Sequence, residues 1–141
     1  MKWAALITWV LTAGGGIVLL GVWLRGGGMK PSAERPRIRP PLILGHFALA
    51  AAGLVLWIVY VAVDTNALAW IAFVLLLVVA LMGFTMFAIW AQRRRGRGGS
   101  IEAARETEPA EQHFPVPVVA LHGLLAATTL VLVVLAAAGV G

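Results

Sequence analysis

Four long apolar stretches, separated by polar segments of unequal length, dominate this chain. They run from about residue 3 to 24, 41 to 63, 67 to 91 and 117 to 138. Each exceeds the roughly 18–20 residues a helix needs to cross the hydrocarbon core of a bilayer. The pattern predicts an all-α fold, a single domain built as a bundle of four transmembrane helices. Between the second and third stretches lie only Asp64, Thr65 and Asn66. So short a link makes those spans antiparallel neighbours, and Thr65 or Asn66 is suited to cap the helix that follows. Pro41 and Pro117 open the second and fourth stretches. Proline fits a first helical turn because the amide it lacks has no partner there anyway.

The other two connections, residues 25–40 and 92–116, are long and polar. The first is basic and proline-rich. The second begins with Arg93-Arg94-Arg95-Gly96-Arg97 and turns acidic at Glu102, Glu106, Glu108 and Glu111. Ile101–Thr107 has the composition for a helical turn or two, which Pro109 would end; the remainder reads as surface loop. The first stretch ends in Trp23-Leu24-Arg25 without a small-residue cleavage pattern, so it reads as a retained span rather than a signal peptide. Gly14-Gly15-Gly16 in its middle would weaken a soluble helix. In a bilayer the backbone stays helical, and the glycines offer a neighbouring helix a close approach.

Charge adds an orientation. Every Lys and Arg except Lys2 lies in the two long loops. The excess of basic residues in cytoplasmic loops then places both loops inside and the Asp64 turn and both termini outside, across a bacterial cytoplasmic membrane. The net charge of +5 is thus a topology signal and not a nucleic-acid footprint. Trp23 and Trp90 fall at the inner ends of their spans, and Trp3, Tyr60 and Trp70 at the outer boundary, as interfacial aromatic rings should.

Composition supports the membrane reading, with 61% hydrophobic and 12% charged residues and a mean hydropathy of +0.93. Cysteine is absent, which excludes disulfides and thiolate metal sites. No nucleotide-binding glycine loop, HExxH motif or serine-nucleophile elbow is present, and no catalytic residue is assigned. Ion-coupled transport normally uses a carboxylate within the membrane, and the only acid next to a span is Asp64 in its turn.

The chain repeats itself faintly. Gly16 and Gly83 each precede a tryptophan by seven residues, Trp23 and Trp90, and a basic loop follows. After each basic loop come a proline and, five residues on, a histidine: Pro41 with His46 and Pro117 with His122. Leu49/Leu125, Ala50/Ala126, Ala51/Ala127, Leu54/Leu130, Val55/Val131 and Leu56/Leu132 agree in the same register. Two hairpins of like orientation would be related by a pseudo-twofold axis along the membrane normal. Both imidazoles then sit at equal depth, roughly 6–9 Å inside the cytoplasmic boundary at ~1.5 Å per residue, facing each other across the bundle.

Polar side chains within a membrane mark function or a buried partner. Each histidine either donates a hydrogen bond to a neighbouring helix, or the pair ligates the iron of a b-type haem held between helices. For haem, Gly45, Gly53, Gly83 and Gly123 would admit the macrocycle, and Arg37 and Arg39 would pair with its carboxylates. On its span count and on His46 and His122, the chain resembles the small four-helix membrane cytochromes b. That resemblance implies haem iron bound by both histidines and electron transfer near the cytoplasmic face. The chain also looks like four-span membrane proteins of GC-rich bacteria, to which no activity attaches.

Zinc is a weaker reading, because two imidazoles are too few ligands. Met82 and Met86 share a helix face, as soft ligands or as packing. His113 in the second loop is an alternative ligand or a solvated side chain. The competing functional expectation is a non-enzymatic accessory or assembly subunit of a larger membrane complex, or a homodimer, with structural histidines.

Overall fold

A computed structural model describes residues 1–30, 38–95 and 110–140. It is all-helical, with α1 (Lys2–Arg25), α2 (Pro40–Val63), α3 (Asn66–Arg95) and α4 (Val116–Ala137), and a 3₁₀ turn at Ala110–His113 just before α4. All four helices are long and apolar enough to cross a membrane. Large apolar side chains cover their outer faces, Ile17, Leu81, Phe84 and Leu124 among them. Such residues are stable there only against lipid, so the chain is an integral membrane protein.

Each observed helix begins one residue before the expected span; α1 ends one residue later and α3 four residues later, α2 ends where expected, and α4 ends one residue earlier. α2 and α4 both begin at a proline-rich first turn, entered from extended backbone at Arg39 and Pro115. At the far end of α2, Asp64 takes a left-handed conformation (φ 55°) and its amide closes onto the Tyr60 carbonyl. That reversal sends the chain straight into α3. Lys2 at the start of α1 reaches across to Asp64, with Nζ 2.7 Å from the carboxylate. This end is called the turn end, and the other, with the two long connections, the loop end.

The helices form a square in chain order, and across the diagonals, α1 to α3 and α2 to α4, no α-carbons come within 8 Å of each other. The tightest pairs are α1 with α4 and α2 with α3. Two layers result, packed more loosely against each other. Without a hydrophobic driving force between lipid-embedded helices, close packing and interhelical hydrogen bonds must hold them. At the turn end Trp9, Trp57, Tyr60, Leu76 and Val133 fill the core, and the Trp57 indole donates to the Lys2 carbonyl at 3.2 Å. At the loop end Trp23, Trp90, Ile38, Ile43 and Ala110 form a second core. The histidines lie between the two.

Two features of the loop end differ from expectation. Trp23 and Trp90 do not face the interface: they are 0% and 7% exposed and point inward. The turn after α1 folds down over Trp23 so closely that any Cβ on Gly28 would overlap its ring, which only glycine permits. Tyr60 is also inward, whereas Trp3 and Trp70 are exposed as expected of interfacial rings. The second difference is the 3₁₀ turn, in a segment expected to be surface loop. Glu111 there is completely buried, accepting from the Ile38 amide at 3.0 Å and from Arg93 at 3.3 Å. Ile101–Thr107 lies outside the described residues.

Candidate functional site

The site is built from two helix pairs. In one layer, Nδ1 of His46 on α2 lies 3.0 Å from the Val79 carbonyl oxygen of α3. In the other, Nδ1 of His122 on α4 lies 2.9 Å from the Thr12 carbonyl oxygen of α1. A carbonyl oxygen only accepts, so each Nδ1 carries the proton and donates it. For a neutral imidazole that leaves Nε2 as a lone-pair acceptor on both rings. Neither Nε2 receives a hydrogen bond from the described residues.

Glycine makes both contacts possible. Val79 and Thr12 stand one helical turn before Gly83 and Gly16, and their carbonyls already accept those glycines' amides in the α-helical pattern. A Cβ leans toward the helix N-terminus and would crowd the approach to that carbonyl. One placed on Gly16 would lie 3.2 Å from Cε1 of His122, and one on Gly83 would lie 3.3 Å from Cε1 of His46. Gly15 also meets the His122 ring, at 3.5 Å from Nδ1. The repeated Gly–Trp spacing in the sequence therefore marks two equivalent histidine seats.

The two rings face each other across the diagonal of the square, their centroids 6.4 Å apart and their planes inclined by 58°. The register that matches Gly16 with Gly83 and His46 with His122 also matches buried residues elsewhere. Ala5 pairs with Ala72, Trp9 with Leu76, Trp23 with Trp90, and Trp57 with Val133. The exchange of layers by a pseudo-twofold operation is thus visible in hydrogen bonds as well as in sequence. The halves differ in detail. Thr12 and Thr129 approach within 3.3 Å through their hydroxyls, whereas their counterparts, Val79 and Gly53, have none.

The remaining sequence candidates are dispersed. Gly83 is at the site, directly against His46. Gly45 is one residue away on α2 and faces the Met82 methyl group, 3.2 Å from the position of its absent Cβ. Gly53 lies toward the turn end and makes room for the Trp9 ring, 3.0 Å away. Gly123 is exposed on the outer surface with nothing within 4 Å. The structure does not bring Gly53 or Gly123 to the histidines, because each serves a different helix face. Arg39 is exposed at the start of α2, at the loop end; Arg37 lies outside the described residues. His113 is exposed in the 3₁₀ turn, and Met86 packs in the loop-end core. Among the described residues, no group of three or more His, Asp or Glu side chains is placed to hold a metal ion.

Thr12, Val79, Gly15 and Gly16 are the site residues that sequence reasoning missed, Gly16 having been read only as part of the repeat and of a packing triplet. A carbonyl one turn before a repeated glycine is the signal that would have found the first two.

No protein-family description, curated protein or solved structure matches this chain. The functional reading therefore rests on the site itself.

Proposed function

We propose that this protein binds a b-type haem between His46 and His122 and passes single electrons close to the cytoplasmic face of a bacterial inner membrane. The observation that carries this reading is the facing pair of imidazoles, each with Nδ1–H tied to a carbonyl and Nε2 unengaged. Metal-ligating histidines characteristically anchor the second nitrogen in this way, which sets the tautomer and the ring orientation. The two ring centroids stand 6.4 Å apart, so one iron could be held by both imidazoles. One histidine comes from each layer, and the looser packing between layers is where a flat macrocycle would enter. His46 and His122 would hold the iron, Gly16 and Gly83 would seat the two imidazoles, and Arg39 would meet carboxylates at the loop end. Haem bound there supplies reversible one-electron transfer; the chain's own residues orient the imidazoles and exclude water.

Absorption spectroscopy of the full chain, purified in detergent from haem-replete cells, tests the proposal. A Soret band and a reduced-minus-oxidised α-band are expected, both lost in His46→Ala and in His122→Ala. Colourless, haem-free wild-type protein overturns the reading.

A second reading has its own support. The histidine–carbonyl bonds already join α2 to α3 and α4 to α1, so the pair also serves as interhelical fasteners of a non-enzymatic accessory subunit in a larger membrane complex or homodimer. That reading expects co-purifying membrane partners that survive loss of either histidine.

A further inference from the structure

Among the described residues, the loop-end core contains two buried donors with no acceptor. The indole Nε1–H groups of Trp23 and Trp90 are both sealed from solvent without a hydrogen-bond partner among the described residues. Buried indoles normally find one, and leaving a buried donor unsatisfied is unfavourable. One orphan is unremarkable in a protein. Two at equivalent positions of a repeat, in one shared core, call for a common cause.

Their placement relative to the histidines supplies it. Each tryptophan follows a histidine-seating glycine, Gly16 or Gly83, by seven residues. Seven residues is close to two full turns, so each tryptophan leaves its helix on the face that meets a histidine, about 10 Å nearer the loop end. A ligand held at the imidazole pair that extends toward the loop end would meet this layer. The chemistry of two N–H donors selects hydrogen-bond acceptors, and an anionic carboxylate makes the stronger bond. The same end already stabilises one buried carboxylate, that of Glu111, through an amide and Arg93.

Resting on the haem reading above, we infer that Trp23 and Trp90 are carboxylate-binding residues, donating their indole N–H groups to the propionates of the bound porphyrin. In the loaded protein the two orphans would be filled, and Trp23 and Trp90 would hold the carboxylates at the loop end. Glu111 Oε2 and Gln112 Oε1 are buried and, among the described residues, unpaired at the same end. They are acceptors, so they supply no donor for a propionate.

The test compares protohaem with its dimethyl ester, titrated into the full chain in detergent, for the wild type, Trp23→Phe, Trp90→Phe and the double variant. The wild type is expected to prefer protohaem. Each phenylalanine should weaken protohaem roughly tenfold or more, since a hydrogen bond to a charged group is being lost. The ester, bound through the histidines alone, should change little, and its retained binding shows that the variants fold. Ultraviolet resonance Raman of the wild type provides a readout without substitution: the tryptophan hydrogen-bond signature should shift with protohaem and not with the ester. If protohaem keeps its full preference in the double variant, or the Raman signature never moves, the indoles are purely structural and this inference falls while the haem reading stands. If the wild type binds neither porphyrin, both fall together.

Discussion

The histidine seats turn on a single absent atom. Gly16 and Gly83 leave a neighbouring imidazole free to reach a helix carbonyl, and a Cβ there would come within 3.2 and 3.3 Å of Cε1. That is tight rather than impossible, so Gly16→Ala or Gly83→Ala should push the ring off its acceptor without abolishing the fold. The cost is expected at about 1–3 kcal/mol, the usual range for overpacking. Gly123→Ala, which meets nothing within 4 Å, should be neutral. Thermal unfolding in detergent orders the three variants. A Gly16→Ala protein as stable as Gly123→Ala would show that the seat does not constrain the ring. By contrast, the Lys2–Asp64 pair is short, but the Asp64 side chain is largely exposed; its loss should be worth about 0–1 kcal/mol.

Among the elements, the 3₁₀ turn at Ala110–His113 ties the loop end together although it is only four residues long. Its Glu111 carboxylate satisfies the Ile38 amide just ahead of α2 and meets Arg93 near the end of α3. One side chain thus links the approach to α4 with both members of the α2–α3 layer. Glu111→Ala would leave the buried amide without its acceptor, an expected loss of about 1–3 kcal/mol. Glu111→Gln retains an acceptor for Ile38 and should cost less. Hydrogen exchange at the Ile38 amide reads the effect directly: faster exchange in Glu111→Ala than in Glu111→Gln is expected. Equal rates in both variants and the wild type would show that the turn is not a fastener. Nothing in a Glu-rich loop distinguishes Glu111 from Glu102, Glu106 or Glu108. The distinction comes from the backbone amide that the fold carries to it.

For the molecule as a whole, the two-layer arrangement and the orientation are separate matters. The layers follow from packing, whereas the orientation follows from charge. With Lys2 as the sole basic residue away from the long loops, the positive-inside tendency leads us to expect Arg93–Arg95 in the cytoplasm and Asp64 outside. The chain contains no cysteine, which makes the check simple. Single cysteines introduced at Asp64 and at Arg94 should label from opposite faces of intact cells, the first with an impermeant reagent and the second only after lysis. Labelling of Arg94→Cys from outside would invert the molecule and put the histidine pair near the outer face.

The number of helices, their limits to within a few residues, the short α2–α3 turn and the facing of the two histidines were all legible in the linear chain. Hydropathy over a span depends on local composition alone, helical rise is fixed by backbone geometry, and a bilayer admits no alternative backbone. The spacing of Gly16 to Trp23 and Gly83 to Trp90 was legible as repetition, but its meaning was not. That α1 pairs most tightly with α4, and α2 with α3, depends on which faces interlock, and helices apolar all round carry little directional signal. For the same reason Trp23 and Trp90 read as interfacial rings until packing turned them inward, and Gly53 and Gly123 read as site glycines until their faces were known. The carbonyls of Thr12 and Val79 belong to the backbone, common to every residue. Only the fold, by setting a glycine one turn later against a histidine from another helix, makes those two the partners of His122 and His46.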